Sequence, residues 1–176
     1  NYRDAYQSWK DAGHIGYWWS FMPVKKDTEP FPSEGFVIKT RNDASVDLTK
    51  PEAYFYAKYA IAAGADKLTL KARNFNSSSP TYFGLVAITE DMAVTPVIPT
   101  FTPGEGVENY LGEAVNGQLF KFINEDGGQG NPEKYATFEY DLSAFDGKNV
   151  VLALGVVKGE DSGNEDKLCM YSITLN

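Results

Sequence analysis

Short apolar or alternating runs, separated by clusters of Gly, Pro, Asn and Asp, dominate the chain and predict β-strands rather than helices. Residues 16–22 (GYWWSFM) form the first run, stopped by Pro23, and 35–40 (GFVIKT) form the second. In 54–61 (YFYAKYAI), Phe55, Ala57, Tyr59 and Ile61 share one face while Tyr54, Tyr56 and Lys58 share the other. After a turn at 62–66, residues 67–73 alternate again, with Leu68, Leu70 and Ala72 expected inward and Lys67, Thr69, Lys71 and Arg73 outward. Residues 82–89 (YFGLVAIT) and 149–157 (NVVLALGVV) are apolar on both faces and read as central strands. Further strands are expected at 119–123, 136–142 and 167–175. In the last of these, Leu168 and Met170 have one parity and Ile173 and Leu175 the other, so a bulge near Tyr171-Ser172 is needed to keep all four inward. Helical spacing is confined to Tyr2, Ala5, Tyr6 and Trp9, read as a packing N-terminal arm, and a short helix is expected near 105–115. The segment 90–135, with Pro96, Pro99 and Pro103, is the least regular, and a stretch of this kind carries function or decorates an edge. No repeat and no long linker divides the chain. The expected fold is all-β: one domain over 1–176, a two-sheet antiparallel jelly-roll β-sandwich with short helical insertions.

Composition narrows the chemistry. The 176 residues include 16 Lys or Arg against 24 Asp or Glu, a net charge of -8, with 3 Trp, 11 Tyr and 11 Phe. An acidic balance argues against nucleic acid, whose binders carry a basic face. No apolar run approaches the roughly 20 residues of a membrane-spanning helix, so no transmembrane segment is expected. The single Cys169 excludes an internal disulfide or a Cys-rich zinc site, and the single His14 excludes His-pair metal sites. His14 is also the one imidazole available to a Ser-His-Asp arrangement, and no nucleophile stands near it in sequence. Most carboxylates fall in turns, as Glu90-Asp91, Glu125-Asp126, Glu160-Asp161 and Glu165-Asp166. Neighbouring turn acids are ordinarily solvated rather than paired across a cleft for glycoside hydrolysis. Because Asn1 is not an initiator Met, the chain is expected to be processed or excised from a longer protein.

Two stretches carry a family likeness. The first is 54–92, YFYAKYAIAAGADKLTLKARNFNSSSPTYFGLVAITEDM. The second, 134–175, contains the turn Tyr140-Asp141-Leu142-Ser143-Ala144-Phe145-Asp146-Gly147-Lys148 and the closing strand Leu168-Cys169-Met170-Tyr171-Ser172-Ile173-Thr174-Leu175. Together they resemble the jelly-roll domains of secreted bacterial proteins, in particular the cleaved-adhesin domains of gingipain-type proteases and their MAM-like, galactose-binding-like relatives. The closing strand departs from that pattern, with Tyr171 and Ser172 where the family has paired acids. The resemblance implies a β-sandwich, often of the carbohydrate-binding-module type, in a secreted, periplasmic or cell-surface protein. It implies no cofactor beyond a structural calcium, for which Asp126, Asp161 and Asp166 in the acidic loops are the candidate ligands.

Sugars present apolar C–H patches ringed by hydroxyls, so their sites pair aromatic rings with amide, acid or cationic groups. If the strands 54–61 and 67–74 are neighbours, Tyr54, Tyr56, Lys58, Thr69, Lys71 and Arg73 form one aromatic-cationic face. Trp18 and Trp19 point to opposite sides of their strand, so one of them lies outside the core. Asn74, Asn76, Tyr82, Asn109 and Tyr110 add polar and aromatic groups nearby, the alternative being that these tyrosines brace loops over the sheet. The sequence therefore suggests a non-catalytic carbohydrate-binding module whose partner is a glycan or other host or cell-surface ligand. It would act as a monomer or as part of a multidomain chain. The alternatives are an adhesion or structural domain that contacts proteins and a small jelly-roll glycoside hydrolase.

Overall fold

A computed structural model describes residues 21–23, 36–39, 53–74, 80–103, 110–124, 135–159 and 167–176. Twelve strands lie within them: β1 (Phe21–Pro23), β2 (Phe36–Lys39), β3 (Ala53–Ala60), β4 (Lys67–Asn74), β5 (Thr81–Thr89) and β6 (Val94–Val97), followed by β7 (Thr100–Thr102), β8 (Tyr110–Val115), β9 (Leu119–Asn124), β10 (Ala136–Asp141), β11 (Asn149–Val157) and β12 (Lys167–Leu175). One sheet has the order β1-β2-β12-β4-β10-β7 and the other β3-β11-β5-β9-β8, with β6 also on β5. Every pairing between these strands is antiparallel. From β2 onward the chain passes repeatedly from sheet to sheet, the alternation expected of a jelly roll. The one helical piece among the described residues is a 3₁₀ turn at Ser143–Phe145. No described helix is long and apolar enough to cross a membrane.

Alternation explains the core. On β4, Leu68, Leu70 and Ala72 are buried, and on β11 so are Val150, Leu152, Leu154 and Val156. These side chains join Phe83, Leu85 and Ala87 of β5, Phe120 and Phe122 of β9, and Phe138 and Tyr140 of β10 in a single apolar layer. The β-rich sequence thus buries the inner face of each sheet against the other, each buried Val, Leu or Phe contributing roughly 1.5–3 kcal/mol. The central strands are β11, between β3 and β5, and β5, flanked along its outer edge by β9 and then β6.

The bulge required by β12 is present. Met170 lies opposite Ala72, and the register with β4 shifts before Ser172 meets Lys71. Leu168 and Met170 are buried ahead of the bulge, and Ile173 and Leu175 pack against the same core beyond it. One extra residue has reversed the parity that would otherwise have turned the second half of the strand inside out.

Two expectations fail locally. The helix near 105–115 is not formed at Tyr110–Val115, which is strand β8 of a hairpin with β9. The reason lies in Asn116 and Gly117, both at positive φ (54° and 63°), which fold the chain back as an Asn-Gly hairpin turn does. Once back, β8 gains a ladder of hydrogen bonds and the apolar face of β9. Strands β6 and β7 were also not foreseen in their Pro-rich segment. Pro96 fits because β6 pairs with β5 alone among the described strands, so its missing N–H leaves no inner ladder broken.

Gly112 shows how tightly the inner face of the hairpin is packed. A Cβ at this position would overlap the Phe120 ring and come within 3.2 Å of Phe101. A Gly112→Ala variant is therefore expected to lose about 1–3 kcal/mol in urea unfolding, and wild-type stability would show that the rings move aside freely. Tyr140 is the opposite case. Its hydroxyl is buried with no hydrogen-bond partner among the described residues, and burial pushes its ionisation far above the ordinary phenol range. Tyr140→Phe should gain about 1 kcal/mol by removing an unpaired polar group, and a clear loss would reveal a partner for that hydroxyl.

Candidate functional site

A concavity lies at one end of the sandwich, where two turns face each other. The first wall is the turn from β5 to β6. Its backbone closes through Met92 N–H to the Thr89 carbonyl (2.9 Å) and Thr89 N–H to the Ala93 carbonyl (3.1 Å). Met92 adopts φ 66°, a conformation that ordinary side chains disfavour. The Asp91 carboxylate steadies this turn by accepting from the Thr89 hydroxyl and from the Ala93 N–H (3.4 Å).

The second wall is the segment joining β10 to β11. Asp141 accepts from the Ser143 N–H at 2.9 Å and so starts the 3₁₀ turn. Gly147 then takes φ 75°, which a residue without Cβ adopts at little cost. Three backbone bonds fasten this segment to the end of β3 and the turn after it: Leu142 N–H to Asp66 (2.7 Å), Gly147 N–H to Ile61 (2.8 Å) and Ile61 N–H to Lys148 (2.9 Å). Phe145 is buried in the core beneath.

Between the walls is a hollow of about 510 Å³ lined by Thr89, Glu90, Asp91, Ala93, Thr95, Phe145, Gly147, Lys148 and Asn149. Pockets for small ligands commonly occupy roughly 300–1,000 Å³. The Asn149 amide donates to Glu90 at 3.2 Å, tying one wall to the other. Lys148 carries its ammonium 6.0 Å from the centre of the Phe145 ring. Glu90, Asp91, Lys148 and Asn149 are all exposed. The rim thus offers carboxylate acceptors, an ammonium donor, an amide and the Thr95 hydroxyl around an apolar floor.

The carboxylates differ in electrostatic setting. The Thr89 hydroxyl, then the Ala93 N–H, holds Asp91 below the ordinary carboxylate range. Ser143, through its side chain and then its backbone, does the same for Asp141. Asp146 is pushed upward by lost hydration and then by the Asp66 charge, a hydrogen bond with Asp66 and the Asp141 charge. An Asp91 held ionised suits hydrogen-bond acceptance and not general-acid catalysis. Among the described residues no group of His, Cys, Asp and Glu side chains is arranged to hold a metal ion.

The aromatic-cationic face expected from the sequence is divided between the two sheets. Strands β3 and β4 are not neighbours: β3 pairs with β11, whereas β4 lies between β12 and β10. Their inward residues, Tyr59 and Ile61 on one strand and Leu68 and Leu70 on the other, meet in the shared core. The outward residues consequently belong to different sheets. Lys58 is exposed on β3. Tyr54 and Tyr56 share its parity opposite Gly155 and Ala153, and their side chains lie outside the described set. Lys71 lies half-buried on β4, donating to the Tyr135 hydroxyl at 3.5 Å with its ammonium 5.1 Å from that ring's centre.

Arg73 departs from its expected exposure and is fully buried. The inward neighbour Ala72 is buried as well, so β4 is covered on both faces at this point. Tyr82 is also buried, in a second cluster with Leu119 and Val157. The Lys121 ammonium lies 5.6 Å from its ring centre, and a Cβ at Gly159 would overlap the ring. Tyr82 is therefore packed rather than open to solvent. Asn74 and Tyr110 are placed in β4 and β8 by backbone alone. Trp18, Trp19, Asn76 and the calcium candidates Asp126, Asp161 and Asp166 lie outside the described residues, as do His14 and Asn109.

From the sequence, Glu90 and Asp91 read as solvated turn acids, Lys148 as the end of a turn and Asn149 as the start of a central strand. They meet only because β5 and β11 are adjacent, with Val150 opposite Thr89. A strand-pairing argument for these two apolar runs was the available signal. No protein-family model matches the chain, and a search of curated proteins finds no match.

The Asp91 arrangement has a direct titration test. Its stabilising effect is present above the unfolded carboxyl value and is lost as pH falls through the lower folded value. Side-chain carboxyl NMR should place Asp91 below the ordinary value of about 3.9, and Thr89→Val should move it upward. An unchanged Asp91 titration in that variant would contradict the assigned cause. Asp146 has the opposite sign: its raised folded value favours folding below the unfolded value, and that contribution is lost as pH rises through the folded one. Asp66→Asn should lower the Asp146 value, and no movement would exclude repulsion by Asp66.

Proposed function

We propose that this chain is a non-catalytic carbohydrate-binding module and that the end hollow is its sugar site. The observation that carries this reading is the solvent-open cavity of about 510 Å³, whose two polar walls are joined by the Asn149–Glu90 hydrogen bond. Such a rim suits a saccharide because hydroxyls donate to carboxylates and accept from amides and ammonium groups. The likeness to cleaved-adhesin and galactose-binding-like domains supports the same reading. By that likeness the module belongs to a secreted, periplasmic or cell-surface bacterial protein.

A protein-contact role is the second reading, favoured by the apolar groups beside the hollow. Met92 is 76% exposed and Val94 60% exposed. Val86, Ile88, Val151 and Ala153 are half-buried on the outward parity of the same sheet. A protein partner would use that apolar surface, whereas a sugar would use the polar rim.

Affinity electrophoresis through a panel of polysaccharides tests the choice. Asn149→Ala should weaken binding by about 1 kcal/mol, roughly fivefold, through loss of one net hydrogen bond. Lys58→Ala and Lys71→Ala, on the other candidate surfaces, should leave binding unchanged. No retardation by any polysaccharide, or losses confined to the two lysine variants, would remove the hollow as a sugar site.

A further inference from the structure

Resting on that reading, we propose that the hollow selects its saccharide by charge, favouring uncharged or amine-bearing sugars over those with carboxylate or sulfate groups. Two carboxylates, Glu90 and Asp91, stand side by side on one wall, and Lys148 is the one cation in the described lining. The Lys148 ammonium lies above the Phe145 ring rather than in an ion pair with either acid. Behind the second wall, Asp146 titrates under the influence of Asp66 and Asp141, so further negative charge lies close by.

Hydrogen-bond polarity leads to the same selection. A carboxylate only accepts, so the ligand group facing Glu90 must donate. The Glu90 Oε1 atom already takes the Asn149 amide proton, which also removes one donor from any incoming anion. Sugar hydroxyls and ammonium groups meet this demand. A uronate or sulfate brings acceptors to an acceptor-rich rim and adds repulsion between like charges. At an exposed rim that repulsion is modest and is screened by salt over about 10 Å at 0.1 M.

Matched polymers test the proposal: dextran against dextran sulfate, galactan against polygalacturonate, with chitosan as the amine-bearing member. Affinity electrophoresis at low and high salt, with Glu90→Gln beside wild type, reads the discrimination. Wild type should bind at least one neutral or amine-bearing polymer and bind its anionic counterpart about two- to fivefold more weakly. Glu90→Gln, which preserves the acceptor for Asn149, should shift the anionic-to-neutral binding ratio upward by about two- to fivefold, as should raised salt. Preferential binding of the anionic polymers, weakened by Asn149→Ala, would overturn charge selection while leaving the hollow as a sugar site. Discrimination unaltered in both Glu90→Gln and a folded Glu90→Gln/Asp91→Asn double variant would overturn it as well. Failure of wild type to bind any polymer would remove the sugar reading itself, and with it this proposal.

Discussion

Contact among phenylalanine rings between the sheets is the interaction on which the structure depends. Phe138 of β10 meets Phe83 of β5 at 5.1 Å and Phe122 of β9 at 5.2 Å between ring centres, both edge-on. Phe101 of β7 and Phe120 of β9 complete the set at 5.4 and 5.6 Å from Phe138. Edge-to-face pairs contribute about 0.5–1.5 kcal/mol each beyond the burial of their surface. Phe101 is the cross-strand neighbour of Phe138 within one sheet, whereas the contacts of Phe138 with Phe83, Phe120 and Phe122 bridge to the other sheet and set the spacing between the two. Gly112 is required because the rings fill the space that its side chain would occupy.

The end hollow is a consequence of that clamp. Strand β5 enters the ring cluster at Phe83 and leaves the sandwich at Thr89, where its turn becomes one wall. Strand β10 enters at Phe138 and leads through Asp141 into the opposing wall. Both walls therefore grow from strands whose positions are fixed by packed aromatics, while their rims consist of exposed polar groups. A rigid base below an open polar rim is the arrangement that recognition by hydrogen bonding requires.

Much of the fold was legible because it follows from parity. The reversal of inward parity between Met170 and Ile173 required a bulge, and the structure has it. The two-sided apolar runs became the adjacent central strands β5 and β11. The short helix expected near 105–115 fails at Tyr110–Val115 because pairing with β9 decides so short a segment. The Asn116-Gly117 pair was the better local signal. Less of the site was legible. Placing β3 and β4 side by side assumed that sequence neighbours pair, whereas the Ala62–Ala65 turn carries the chain into the other sheet. Arg73 and Tyr82 carry outward parity and are nevertheless covered, which alternation along a single strand does not reveal.

On the proposed reading, binding uses the hollow and neither outer sheet face. Amide chemical-shift mapping of isotope-labelled protein, titrated with a saccharide that retards it in gels, tests this most directly. Shifts concentrated at residues 89–95 and 145–149 are the predicted result. Shifts centred instead on Lys58 and Ala153, or on Lys71 and Thr137, with the hollow unmoved, would contradict it.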